Sequence, residues 1–274
     1  MNTPEYLYHY TSLDNLAFIL ENRTIRFNSL LNVDDIEEAE TSDIKNFGKY
    51  VLVSCWTNEE QEMIPMWTLY TPNMSGVRIR LPVHPFERYH YKAGEYNFSA
   101  DNESCIDYEK IYRENRGALT PNMPLLEPVN YTNELDKLFP KVRTKGTAED
   151  ARRFISGSSQ GSIEITYSLA ELGRNKREVW SFQKEWRYIL WFSPMGLQEN
   201  KSIEQHRELI RRMEDEEREP PYQHFYLRLR QDAVNQMEVV FGPRMSEAQK
   251  ILAKALLREH GLEGHWQNSS LKIR

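Results

Sequence analysis

Gln183-Lys184-Glu185-Trp186-Arg187-Tyr188-Ile189-Leu190-Trp191-Phe192 is dense in aromatic and β-branched residues, the composition that suits a strand on a pleated, buried surface. Read as a strand from Glu185 to Phe192, it shows Gln183, Glu185 and Arg187 on one face by period-two alternation. A carboxylate inside so apolar a strand is costly unless it is paired or put to use. Pairing would set Glu185 against Arg187 or His9; use would make it a site residue.

Working outward, strands and helices are interspersed without regular alternation. Tyr6 to Thr11 is rich in β-formers, with His9 on the face of Leu7 and Thr11. Ser12 caps a helix on which Leu13, Leu16, Ala17 and Leu20 recur at helical spacing. Thr24 to Phe27 reads as a short strand, and Asn32 to Glu40 as an acidic loop or helix start. Val51 to Trp56 is a buried strand, followed by a helix presenting Met63, Met66, Trp67 and Tyr70, with Pro65 in its first turn. Val77 to Leu81 alternates cleanly. Beyond the Glu185 strand come a charged, exposed helix over 200–219 ended by Pro220-Pro221, strands at Phe225–Leu229 and Met237–Phe241, and a helix opened by a Ser246/Gln249 capping box and stopped by Gly261. On that last helix Ala248, Ile251, Leu252 and Ala255 form the expected core face. Between about 85 and 175 the patterning is weak, apart from a strand near Ile163–Tyr167. These elements predict one α+β domain over residues 1–274, mixed or antiparallel sheets flanked by helices, with an irregular middle insertion.

Composition narrows the function classes. With 274 residues, the chain can bury roughly three quarters of its unfolded surface, so its core needs no disulfide or metal support. Hydrophobic residues make up 39%, charged residues 28% and aromatic residues 12%. Mean hydropathy is −0.71, and no apolar run approaches the roughly 20 residues of a spanning helix. The aromatic content argues against a disordered chain. The formal charge is −6, so nucleic acid would need a local basic patch, for which Lys141, Arg143, Lys145, Arg152 and Arg153 are the candidate; a solvated surface is the plainer reading. The two cysteines argue against a disulfide framework. The first residues carry neither a basic nor an apolar leader segment, so the expected compartment is the cytoplasm.

The familiar chemical motifs are missing. There is no G-x-S-x-G, no Walker loop, no G-x-G-x-x-G and no metal-ligand histidine spacing, so no metal is expected. The Gly157–Gly161 turn is no phosphate-binding fingerprint. What remains is polar residues in strands that otherwise look buried, above all His9, Gln183, Glu185 and Arg187.

Taken in order, several short motifs resemble one family. Tyr8-His9-Tyr10-Thr11-Ser12 is similar to its opening. Asp34-Asp35-Ile36-Glu37-Glu38 resembles an N-D-x-x-E element, with Asp34 where Asn is usual. Ser54-Cys55-Trp56, Met66-Trp67-x-x-Tyr70, Gly76-Val77 and Val129-Asn130-Tyr131 follow. Gln183-x-Glu185-Trp186-Arg187 resembles an E-x-E-[WY]-R signature, with Gln183 replacing the first Glu, and Val240-Phe241-Gly242-Pro243 resembles the closing strand and turn. The family is the bacterial domain of unknown function 2971, itself similar to the ADP-ribosyltransferase superfamily.

That resemblance implies an ADP-ribosyltransferase-like fold and NAD as co-substrate. Cleaving the nicotinamide–ribose bond develops positive charge on the ribose, as in other glycosyl transfers. A fixed carboxylate about 3 Å away, at an effective dielectric near 20, is worth up to roughly 5 kcal/mol. Glu185 is the implied carboxylate. Gln183 would orient the acceptor, and Tyr70 or Trp67 would stack on nicotinamide. His9, Tyr10, Thr11 and Ser54 would bind NAD, and Arg187 would either contact a phosphate or hold Glu185 ionised. The acceptor, whether protein, RNA, DNA or a small molecule, is not named by the sequence. A toxin or phage-defence effector fits this chemistry, and no membrane partner is expected. Two alternatives stay open: an NAD glycohydrolase using the same site, and a catalytically inert recognition or scaffold module of the same fold.

Overall fold

The computed structural model describes residues 3–120, 122–144, 166–199 and 203–273. Lys145, Arg152 and Arg153 of the basic stretch, the Gly157–Gly161 turn and the first residues of the strand expected near Ile163 lie outside them. Within the basic stretch, Arg143 is engaged by Glu214 at 3.2 Å.

The main sheet is built from β1 (Tyr6–Thr11), β2 (Thr24–Ser29), β3 (Val51–Thr57), β4 (Val77–Pro82), β5 (Leu125–Pro128), β6 (Glu185–Ser193), β7 (His224–Arg228), β8 (Glu238–Phe241) and β9 (Trp266–Asn268), with the two-residue strand Gly117–Ala118 beside β6. The path runs β7-β2-β3-β1-β4-β8-β9, while β6 pairs with the opposite edge of β3 and carries β5. Neighbours are antiparallel except β8 and β9, which are parallel. This is the mixed α+β architecture expected from the interspersed elements.

One topological detail makes the site. Along one edge, β3 is zipped to β6 over its whole length, from Glu185 opposite Thr57 to Trp191 opposite Val51. Its other edge is shared. β2 takes the first half, at Leu52 and Val53, and β1 touches only the last residue, Tyr8 opposite Thr57. The sheet therefore forks at β3. Backbone groups inside a fork lack ladder partners and must find others. His9 meets that demand, its Nδ1 donating to the Cys55 carbonyl at 2.9 Å.

Helix α1 (Leu13–Asn22) connects the two arms of the fork. Ser12 caps it, its hydroxyl accepting from the Asn15 N–H at 3.1 Å. Leu16, Ile19 and Leu20 anchor it in the core, each such burial contributing roughly 1.5–3 kcal/mol. Helix α2 (Ile64–Tyr70) leads from β3 to β4 and ends at Tyr70. The charged helix α3 spans Ile203–Glu214 and stops well before the prolines, where buried Lys49 donates to the Asp215 carbonyl at 2.5 Å and Tyr50 to the Arg212 carbonyl at 2.8 Å. Helix α4 (Glu247–Glu259) has the expected capping box, but its expected inner face is turned outward: Ile251 and Leu252 are exposed, and Ala253 and Leu257 are buried. Tertiary packing thus overrides the intrinsic apolar stripe.

The middle region is not a detached loop. Tyr91, Ile106, Tyr108 and Ile111 belong to the main core, β5 extends the sheet, and Asn130-Tyr131 pairs in parallel with Asn175-Lys176. No helix among the described residues is long and apolar enough to cross a membrane.

Candidate functional site

The fork opens a cavity of about 760 Å³ bounded by β1, β2, β3, α1 and the start of β6. Among the lining residues are His9, Tyr10, Thr11, Ser54, Tyr70, Gln183, Glu185 and Arg187. Eight of the nine residues singled out in the sequence therefore meet around one cavity, although they come from four separate parts of the chain. The ninth, Trp67, does not line it. It is fully buried, packs edge-on against Tyr10 with ring centroids 4.9 Å apart, and donates its indole N–H to Glu62 at 3.0 Å. Trp67 is a core residue that supports α2, and it cannot stack on a ligand in the cavity.

Glu185 begins β6, next to a backbone irregularity. Gln183 is not on the strand: it ends a 3₁₀ turn, Glu178–Gln183, and Lys184 then adopts a left-handed conformation with φ 44°. Non-glycine residues rarely take that conformation. The reversal breaks the simple alternation, and Gln183 and Glu185 meet through Lys176, whose Nζ donates to Gln183 Oε1 at 3.0 Å and to Glu185 Oε2 at 3.3 Å. The Gln183 amide in turn donates to the Tyr70 hydroxyl.

The Glu185 carboxylate is held on two sides. Arg187 donates to it through Nε at 2.6 Å and through a terminal nitrogen at 3.1 Å, because residues two apart on a strand share a face. Arg187 also donates to Glu38 and, at 3.0 Å, to the Gly173 carbonyl. Lys176 lies 3.2 Å from Glu38, and its ammonium sits 4.6 Å from the Trp180 ring centroid. Glu38, Lys176, Glu185 and Arg187 are all buried, and their formal charges sum to zero. Buried ions of this kind persist only when each has a partner, since an isolated charge would carry a desolvation penalty of several kcal/mol. Gly173 contributes through its backbone: at φ +78° it turns the chain so that Lys176 returns to the cluster, a conformation glycine adopts without Cβ strain.

Electrostatics follow from this arrangement. Burial by itself would raise the Glu185 pKa, but the charges of Arg187 and Lys176 and the hydrogen bonds from Arg187 outweigh it and hold the carboxyl below its usual range. Burial opposes charge on Lys176 as well, yet Glu185 and Glu38 keep its pKa raised. Cys55, between β1 and β6, has its thiol pushed well up by burial and by the Glu185 charge, so it is no nucleophile at neutral pH. Burial chiefly, and the positive charge of Arg26 in addition, lower the His9 pKa against the opposing Cys55 hydrogen bond. His9 is thus a neutral imidazole, with Nδ1 committed to the backbone and Nε2 left as an acceptor. Burial, then the Asp34 and Glu185 charges, raise the Tyr70 pKa far above its ordinary value, so Tyr70 acts only as a neutral hydroxyl.

The partners of the lining residues are as follows. Arg187 spends four of its five N–H donors on Glu185, Glu38 and Gly173, so it holds Glu185 ionised and has little left for a phosphate. Ser54 accepts from the Trp56 indole at 3.0 Å, Thr11 accepts from Asn15 at 2.9 Å, and the Tyr10 hydroxyl accepts from the Met63 N–H at 3.2 Å. All three line the cavity wall, and a hydroxyl that accepts one hydrogen bond still has its own O–H to donate. Two residues of the cluster escaped the sequence reading. Glu38 lay in the acidic stretch read as a loop or helix start, although it is the last position of the N-D-x-x-E-like element and that was the available signal. Lys176 had no sequence signal; only the fold brings it there. No group of three or more potential ligands among the described residues is placed to hold a metal ion.

Residues 66–188 match a family model described as "Protein of unknown function (DUF2971)". The match supports the family resemblance and carries no activity with it. It opens on α2 and closes within β6, so it takes in Tyr70, Lys176, Gln183, Glu185 and Arg187 and leaves out the β1 and β2 arms of the fork. No curated protein and no solved structure matches the chain.

Proposed function

We propose that the forked-sheet cavity binds NAD and that the protein transfers ADP-ribose to an acceptor, with Glu185 as the catalytic carboxylate. The observation that carries this reading is the convergence of neutral His9, Tyr70, Gln183 and ionised Glu185 on one cavity of about 760 Å³, within the range of small-molecule and cofactor sites. Glu185 accepts a ribose hydroxyl and stabilises the positive charge that grows on the ribose as nicotinamide leaves. His9 Nε2 accepts a hydrogen bond from the sugar or the carboxamide. Tyr70 and Gln183 form the wall from which an acceptor O–H or N–H approaches; its oxygen or nitrogen bonds to the ribose carbon, nicotinamide departs as a neutral ring, and the acceptor's proton passes to water. Water in place of the acceptor gives simple hydrolysis.

The clamp on Glu185 has two consequences. It guarantees the ionised form at neutral pH. It also turns a free negative charge into part of a neutral cluster, so the stabilisation falls well short of the roughly 5 kcal/mol of an unshared carboxylate. That second consequence favours a second reading, in which the cavity recognises a ligand without cleaving it. Nicotinamide release from NAD by the purified protein, with and without bacterial lysate, decides between them. Release that collapses in Glu185→Gln supports the transferase, and dependence on lysate separates transfer from hydrolysis. Equal background in both proteins sinks the catalytic reading in favour of recognition.

A further inference from the structure

The cavity has two unlike ends. The inner end is the buried ionic cluster at Glu185. The outer end is made by α1, β2 and β7, and its chemistry differs in three respects. Arg26 lines the cavity and is exposed, and its side chain forms no hydrogen bond or ion pair with any other described residue. Tyr226 is its cross-strand partner in the β2–β7 ladder, lines the same space and is 44% exposed. Phe18 reaches the cavity from α1 and is 66% exposed.

Each of these facts asks for a counterpart. In a chain with a formal charge of −6, other arginines of β-strands, such as Arg80, Arg187 and Arg228, have carboxylate partners; Arg26 offers a planar fork of donors to the cavity instead. A guanidinium of this kind matches a phosphate by two parallel hydrogen bonds. Two large exposed aromatic rings on the same cavity wall, Phe18 and Tyr226 (the latter edge-on to His224 at 5.3 Å), suit a stacked planar ring. Alternation places them: Thr24, Arg26 and Asn28 point away from the core that takes Ile25 and Phe27, and Tyr226 points away from the core that takes Phe225 and Leu227.

We propose that this outer end is a nucleotide-phosphate site, in which Arg26 binds a phosphate and Tyr226 and Phe18 hold the base. The inference deepens the NAD reading, on which it rests for the choice of an adenine nucleotide, and it assigns the ADP half of the ligand to α1, β2 and β7. It also explains how a phosphate can be bound although Arg187 is occupied.

The test is calorimetric titration of the full chain with ADP, and with adenosine as a probe lacking phosphate, at low salt and at 0.15 M salt (roughly physiological ionic strength). Wild type should bind ADP more tightly at low salt. Arg26→Ala should weaken ADP at least tenfold and leave adenosine within twofold, whereas Tyr226→Ala should weaken both. Because Arg26 is exposed, the variant is expected to fold; an unchanged circular dichroism spectrum and melting curve check this, and Arg26→Lys should retain part of the affinity. ADP affinity unchanged in Arg26→Ala, or no ADP binding by wild type, overturns the proposal. Nicotinamide release separates the two ideas. ADP binding that depends on Arg26 without any release leaves this site standing and removes the transferase. Release with a KM for NAD unaltered by Arg26→Ala keeps the transferase and removes this site.

Discussion

Arg187 and Arg26 line one cavity and live in opposite electrostatic settings. Arg187 is fully buried and donates to two carboxylates and a carbonyl; Arg26 is exposed, and its side chain forms no hydrogen bond or ion pair with another described residue. Removing a guanidinium from water is expensive, so the protein surrounds Arg187 with fixed acceptors, and those acceptors use up its capacity to bind anything else. Arg26 keeps its hydration until a ligand replaces it. The same side chain therefore serves as architecture at one end of the cavity and as a candidate ligand contact at the other, and burial is what decides which.

The sharpest way to break this comparison is to remove each arginine in turn. Arg187→Met leaves Glu38 and Glu185 buried with Lys176 as their remaining cation, and urea unfolding should show a loss of about 3–5 kcal/mol. A loss under about 1 kcal/mol would mean that the cluster is open to water and Arg187 is no different in kind from Arg26. Next in size is the effect on chemistry. Glu185→Gln should reduce nicotinamide release about 100-fold or more, the scale seen when a charge-stabilising group is lost, and an activity within a few-fold of wild type would transfer the catalytic role elsewhere.

A pH series sharpens the inner half of the comparison. The folded-state pKa of Glu185 lies below its ordinary value of 4.5. Its stabilising contribution is therefore complete above about pH 4.5 and is lost as pH falls through the depressed value. Unfolding free energies from urea titrations run from pH 6 down to pH 3 should fall in wild type by on the order of 2 kcal/mol from this group, and the fall should be shallower in Arg187→Met, where only Lys176 is left to depress the Glu185 pKa. Tyr70→Phe removes the acceptor of the Gln183 amide and should cost about 1 kcal/mol by the same unfolding assay. Smallest of all, Arg26→Ala should change stability by less than about 0.5 kcal/mol, as expected for a surface residue outside any network; a larger loss would show that Arg26 has a structural partner after all.

Much of this was legible from local patterning, and the exceptions are instructive. The β1–Ser12–α1 opening, the Val51 and Val77 strands and the Ser246 capping box follow from alternation, helical spacing and cap chemistry, all of which act over a few residues. Where the reading of α4 went astray, Ile251 and Leu252 obeyed helical spacing and still ended outside, because the helix enters the main core through Ala253 and Leu257. Trp67 likewise shares a helix with Tyr70, yet one enters the core and the other the cavity, a difference of direction around α2 that helical spacing alone leaves open. Gln183 reached the site by a different path from the one its spacing suggested, through the left-handed Lys184 rather than along the strand.

By itself, the sequence determined the class of fold, the elements that carry His9, Tyr70 and Glu185, and the conclusion that a carboxylate at the head of an apolar strand needs a partner or a task. Those conclusions rest on short-range rules of backbone geometry and solvation. Only the tertiary structure decided that the partner is a four-membered cluster reaching Glu38 and Lys176, that β3 divides its free edge between β1 and β2, and that the resulting cavity has a buried, paired arginine at one end and at the other an exposed one whose side chain has no partner among the described residues. These depend on which distant segments meet, and the energy that brings them together is shared over the whole core rather than written in any single stretch of the chain.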